Sequence, residues 1–115
     1  MHKLLFAAFL LPALAGGQNS TGSAEAGRRL YMKNGCYQCH GTVGQGTIAG
    51  ARIGPPSLSA QGLIRYVRRP AGQMPAFTEK VMSDQELIDV YTYLKTIPPA
   101  KPAKDIPLLN DLRAK

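Results

Sequence analysis

The chain has 115 residues, enough for one small domain with little room for a second hydrophobic core. It has no tryptophan, five tyrosines and three phenylalanines, so few large side chains can fill the core, and such small domains often gain stability from a disulfide, a metal or a bound group. The formal charge of +7 favours acidic partners, but the basic residues form no single run and lack interleaved aromatic residues, so we expect no nucleic-acid partner.

Residues 1–15 have the layout of a secretory signal peptide. Lys3 precedes an apolar run from Leu4 to Leu11, Pro12 interrupts this run, and Ala13-Leu14-Ala15 provides a small-x-small cleavage pattern. The apolar stretch is shorter than the ~20 residues that a membrane-spanning helix needs, so we expect no stable membrane anchor. We predict cleavage after the triplet and export, to the periplasm or an equivalent compartment.

Residues 16–22 are small, polar and rich in glycine and serine, which predicts a flexible leader. Ser23 suits the N-cap of a first helix, Glu25 suits its first turn, and apolar residues follow at helical spacing. This helix should end at Asn34-Gly35 and lead directly into Cys36-Tyr37-Gln38-Cys39-His40.

The middle of the chain predicts loops around one short helix. Residues 41–56 contain five glycines and two prolines, which predicts an irregular loop. A short helix with Ser59 as its cap should follow and end before Pro70. Residues 70–78 then form a turn-rich segment centred on Met74.

A last helix begins at the capping box Ser83-Asp84-Gln85-Glu86 and ends at Pro98-Pro99, with an apolar stripe between them. Residues 99–115 form a tail that contains proline and lysine, and its leucines could contact either this domain or a partner. The predicted elements make residues 23–98 a small all-α domain.

The most specific motif combines Cys36, Cys39 and His40. Two thiols three residues apart on a helical turn can form thioethers with the vinyl groups of a porphyrin, and the adjacent histidine is then placed as an iron ligand. A disulfide or a thioredoxin-like redox pair uses the same cysteine spacing, although no strand of the kind that redox pairs follow precedes the motif. A zinc site lacks further ligands, because no third cysteine and no second histidine remain after signal cleavage. The motif favours one covalently attached haem c.

Residues 23–98 resemble the class I c-type cytochromes, the small monohaem cytochrome c family. Besides the haem-attachment motif, Gly27 and Tyr31 resemble the family's N-terminal helix, and Val90 with Tyr93 resembles its C-terminal helix. The resemblance implies an all-α fold in which these two helices cross tightly at the glycine, with a short middle helix and loops wrapped around the haem.

The segment Gly54-Pro55-Pro56-Ser57-Leu58 resembles the family's Gly-Pro-x-Leu segment. In the family, the proline carbonyl of this segment accepts a hydrogen bond from the iron-bound imidazole. The additional residue here allows either Pro55 or Pro56 to take this role toward His40.

Met74-Pro75 resembles the family's distal ligand loop, which implies that Met74 binds the iron opposite His40. A thioether sulfur is a soft ligand, and methionine-histidine ligation raises the reduction potential. The alternative is that Met74 only fills space in the core, as we expect of Met32 and Met82.

Two filled axial positions leave the iron no open site for a substrate, which predicts an electron-transfer protein rather than an enzyme. We expect a carrier of single electrons between redox partners; the alternatives are a dedicated electron-transfer subunit of a dehydrogenase or oxidase complex, or a haem-based ligand-binding sensor. Arg65, Arg68, Arg69 and Lys80 flank Met74 and could form a basic rim that docks on acidic partner surfaces, although they could equally be solvated charges or propionate partners.

Overall fold

The computed structural model describes residues 21–113, and within this range it contains helices and no β-strand. In chain order the elements are α1 (Ala24–Lys33), α2 (Cys36–His40), α3 (Ala60–Arg68), α4 (Asp84–Lys95), a 3₁₀ turn (Ala103–Asp105) and α5 (Pro107–Arg113). The predicted all-α class is confirmed. The predicted signal peptide, residues 1–15, and most of the predicted leader lie outside the described residues.

The three longer helices begin where their sequences predict. Ser23, Ser59 and Ser83 each accept a hydrogen bond from a backbone N–H of the first turn, which satisfies a donor that has no partner inside the helix. At α4 the capping box is complete, because the Glu86 carboxylate accepts the Ser83 N–H at 2.7 Å. These starts are therefore encoded locally.

Helices α1 and α4 pack directly on each other, and this contact organises the domain. Gly27 is buried against the backbone of α4 at Asp89, whose carboxylate also accepts the Ser23 N–H at 2.8 Å. Next along α1, the fully buried Tyr31 ring lies 5.5 Å from the Tyr93 ring at an interplanar angle of 59°. The tight crossing predicted for these two helices is confirmed.

The buried core is small. Its members are apolar or aromatic and come mostly from α4 and the segment before it: Tyr31, Ile64, Met82, Leu87, Val90, Tyr93 and Leu94. Met82 is 2% exposed, so its predicted role as a core side chain is confirmed. The same prediction for Met32 is wrong, because this side chain is 37% exposed. It follows Tyr31 directly, and neighbouring positions on a helix point about 100° apart.

The C-terminal tail forms the 3₁₀ turn and α5, which contact each other and none of α1 to α4. Leu108 and Leu112 are 69% and 62% exposed, so the structure does not place these leucines in the core of the domain. None of the helices in the described range is long and apolar enough to span a bilayer.

Candidate functional site

Helix α2 carries the three residues of the Cys-x-x-Cys-His motif and is only five residues long. Gly35 before it and Gly41 after it have φ angles of 74° and 80°, which glycine adopts without a steric penalty. The chain therefore turns sharply at both ends of α2. Cys36 lies half-buried against the core, whereas Cys39 is exposed.

No disulfide joins Cys36 and Cys39, and the environment of Cys36 argues against a redox-active pair. Burial raises the pKa of the Cys36 thiol. A thioredoxin-like pair instead needs a cysteine whose thiol pKa is lowered, because the thiolate is the nucleophile. The thioredoxin-like alternative is therefore disfavoured.

The imidazole of His40 is oriented by a backbone contact. Its Nδ1 atom lies 2.7 Å from the carbonyl oxygen of Ala51. A carbonyl only accepts hydrogen bonds, so this contact favours the tautomer in which Nδ1 carries the proton and donates it. The other ring nitrogen, Nε2, is then unprotonated and has a lone pair available for a metal.

This hydrogen-bond partner differs from the one predicted. The acceptor in the structure is Ala51 rather than Pro55 or Pro56. Gly54, which precedes the two prolines, lies against the side chain of Ile97, just beyond the end of α4.

The reason for the difference is a turn that folds back onto α2. The hydroxyl of Thr47 donates to the Cys39 carbonyl at 2.6 Å, and Thr47 and Gly50 form a backbone bridge. Gly50 packs so closely that a Cβ on it would lie 2.8 Å from the same carbonyl oxygen. The turn thus delivers the next residue, Ala51, to His40. The glycine-rich composition of this loop was the only sequence signal for such a close approach.

Met74 is half-buried in the loop that joins α3 to α4. The base of this loop is closed on α3, because the Phe77 N–H donates to the Val67 carbonyl at 3.1 Å. Within the described residues, no hydrogen bond joins this loop to α2. Backbone contacts therefore fix the base of the loop independently of the motif helix.

The predicted basic rim needs a correction. Arg68 donates to the Phe77 carbonyl at 2.7 Å and pairs with the Asp84 carboxylate at 2.6 Å, and its side chain is only 18% exposed. An arginine held in this way cannot serve as a free docking charge. The exposed basic side chains beside the loop are Arg65, Arg69 and Lys80, and the acidic Glu79 is exposed next to Lys80. No short stretch of sequence signals this structural use of Arg68, since its partners lie 9 and 16 residues away.

The residues present fit a haem better than a bare metal ion. In the part of the chain that the structure describes, no three histidine, cysteine or acidic side chains cluster as a metal site would require. Two neighbouring thiols and one imidazole with a free Nε2 are instead the groups that a covalently attached iron porphyrin uses. Leu58 and Tyr66, which lie between His40 and Met74 in the chain, are 47% and 45% exposed, so this part of the chain leaves large side chains uncovered by the described residues.

The fold and the motif together define a small monohaem c-type cytochrome domain. Residues 22–94 match the family described as cytochrome c oxidase, cbb3-type, subunit III, and the chain belongs to this family. Membership brings covalently bound haem c and marks the domain as an electron-transfer module with redox partners, as predicted. No curated protein and no solved structure shows a significant similarity to the chain.

Proposed function

We propose that this protein is an exported carrier of single electrons. In this proposal Cys36 and Cys39 hold one haem through thioether bonds, and His40 and Met74 bind its iron from opposite sides. When bound, the haem supplies the Fe(III)/Fe(II) couple that gains and loses the electron. The observation that carries the proposal is the hydrogen bond from His40 Nδ1 to the Ala51 carbonyl.

This hydrogen bond gives His40 two properties that an axial ligand needs. It holds the ring in one orientation, and it leaves Nε2 as the lone-pair nitrogen. Donation from Nδ1 to a carbonyl also makes Nε2 a stronger electron donor. Since Ala51 is held by the turn anchored on Cys39, the attachment site and its histidine form one structural unit.

Met74 supplies the second ligand in this proposal. Its sulfur is soft and favours ferrous iron over ferric iron, which raises the reduction potential. Pro75 restricts Met74 to an extended backbone, and this restricts the directions in which the side chain can point. With both axial positions filled, the chain's own residues exclude substrates from the iron, which suits a carrier rather than an enzyme.

A second candidate is a dedicated electron-transfer subunit of an oxidase, and the description of the matched family favours it. The two candidates differ in how long the protein stays with its partner. A carrier meets its partners through small, transient interfaces, whereas a subunit forms a stable one. Size-exclusion chromatography of the exported fraction separates them: a haem-containing peak at the size of one chain supports the carrier, and co-elution with other proteins supports the subunit.

The attachment claim is tested by expressing the full chain together with a c-type cytochrome maturation system. The exported fraction is run on a denaturing gel and stained for haem. The wild-type band should stain, and the Cys36→Ser/Cys39→Ser variant should show no stain. Met74→Ala is the matched control, because it changes a proposed ligand without touching the thioethers and should keep the stain. A stained band from the double cysteine variant, or a colourless wild type, would reject the proposal.

A further inference from the structure

Arg68 joins three parts of the domain that meet beside the Met74 loop. It is the last residue of α3, and its guanidinium donates through Nη1 to the carbonyl of Phe77 at 2.7 Å. Through Nη2 it donates to the carboxylate of Asp84 at 2.6 Å. Asp84 is the first residue of α4. One side chain therefore contacts the loop and connects the two helices that flank it.

Both backbone groups of Phe77 are held by consecutive residues of α3. The N–H donates to the Val67 carbonyl at 3.1 Å, and the carbonyl accepts from Arg68. Residues 69–76, which include Met74, form the loop that these two hydrogen bonds close. A hydrogen bond with a charged donor contributes more than a neutral one, and the arginine is shielded from solvent, with its side chain only 18% exposed.

The two neighbouring arginines, Arg65 within α3 and Arg69 at its C-cap, are not used in this way. Arg65 and Arg69 are exposed, and their side chains form no ion pair or hydrogen bond with the described residues. Arg68 alone of the three points its planar group at two acceptors on different elements. A lysine at position 68 would supply the charge, but it has no planar guanidinium to donate two hydrogen bonds in fixed directions.

We propose that Arg68 is a positioning residue that holds the Met74 loop closed, so that the sulfur of Met74 stays on the iron. The proposal rests on the ligation by Met74 put forward above. Asp84 fixes the guanidinium from the side of α4, and the positive end of that helix stabilises the carboxylate. Without the Arg68 guanidinium, the base of the loop keeps the hydrogen bond from the Phe77 N–H to the Val67 carbonyl but loses the one to the Phe77 carbonyl. The loop then opens more often.

The test uses the ferric, haem-loaded protein and imidazole, a nitrogen ligand that competes for the iron position assigned to Met74. Arg68→Leu keeps the apolar stem and removes both donors. Imidazole should bind this variant about tenfold more tightly than the wild type, equivalent to about 1.4 kcal/mol. The matched control Arg65→Leu removes the same charge from the same helix and should change the affinity less than about twofold.

Two further variants serve if Arg68→Leu accumulates poorly. Arg68→Lys keeps the charge without the planar guanidinium, and Asp84→Asn weakens the hold on the arginine; each should raise the imidazole affinity by a smaller factor than Arg68→Leu. Denaturant unfolding is measured beside the titrations. A purely structural role would lower the stability and leave the imidazole affinity unchanged, and this outcome would overturn the proposal.

The result for Met74→Ala separates this proposal from the proposed ligation. If Met74→Ala keeps the wild-type spectrum and imidazole affinity, the ligation itself fails and the positioning role fails with it. If Met74→Ala loses the iron-sulfur absorption and all Arg68 and Asp84 variants bind imidazole like the wild type, the ligation stands and the role of Arg68 is rejected.

Discussion

Gly27 in α1 lies against the carbonyl oxygen of Asp89 in α4, so closely that a Cβ atom on Gly27 would be 1.9 Å from that oxygen. No side chain fits in this space, so the distance between the two helices depends on the glycine. Because α2 follows α1 after a turn of two residues, the crossing also sets where the motif helix sits relative to α4. The position of the haem-attachment residues thus depends on a backbone contact some distance away.

Gly27→Ala is expected to lower the free energy of unfolding by about 2 kcal/mol or more, because the added methyl group forces α1 and α4 apart. The roughly 1 kcal/mol that alanine gains in helix propensity does not offset this packing cost. Denaturant unfolding of the haem-loaded protein measures the change. Gly62→Ala in α3 is the control: a Cβ there would lie 3.3 Å from Leu58 and Ser59, which need to move only slightly, so the change should stay within about 1 kcal/mol. Equal stability of Gly27→Ala and the wild type would contradict the tight crossing.

The buried hydroxyl of Tyr31 should make the folded protein less stable at alkaline pH. Burial is the main cause that raises the pKa of its hydroxyl from 10.0 to about 12. As the pH rises, the unfolded chain therefore loses this proton before the folded protein does. The contribution of the protonated Tyr31 to the free energy of unfolding is complete below pH 10 and is lost as the pH rises toward about 12.

Tyr31→Phe should make the free energy of unfolding less dependent on pH in this window. At neutral pH it should cost about 1 kcal/mol, because the Gly41 carbonyl loses the Tyr31 hydroxyl at 2.6 Å and keeps only the Gly44 N–H at 3.1 Å. Urea unfolding at about pH 9 and about pH 11 measures both effects. Tyr66→Phe, which removes an exposed tyrosine, serves as the control; an identical alkaline slope in wild type and Tyr31→Phe would refute the assignment.

Met74→Ala should keep covalent haem, lose the weak long-wavelength iron-sulfur absorption completely and lower the reduction potential, since a soft ligand that favours ferrous iron is removed. Absorption spectra of the oxidised protein and a redox titration measure these changes. Met32→Ala removes an exposed methionine from α1 and should leave both properties unchanged. A wild-type spectrum from Met74→Ala would rule out this sulfur as the ligand.

The exposed charges Arg65 and Arg69 should speed association with acidic surfaces. We expect electron exchange with a carboxylate-terminated electrode to slow as salt is added, and the Arg65→Glu/Arg69→Glu variant to lower the low-salt rate several-fold. Lys101→Glu/Lys104→Glu changes the net charge by the same amount in the tail and is the control. Equal losses in the two variants would mean that net charge, and not this location, governs docking.

The local parts of the fold were predictable because neighbouring residues encode them. Ser23, Ser59 and Ser83 begin their helices through bonds to the first turn, so the sequence alone predicted the all-α class. The contiguous Cys36-to-His40 motif predicted the haem and the family in the same way, since its chemistry depends on spacing within one helical turn. The crossing at Gly27 followed from the resemblance.

Tertiary packing decided which groups support these residues. The sequence suggested Pro55 or Pro56 beside His40, and the structure places Ala51 there. It also suggested a free surface charge at Arg68, which is instead shared between a loop carbonyl and α4. In both cases the partner depends on the path by which a loop returns to its helix. That path results from many weak contacts acting together, and no short stretch of residues contains them.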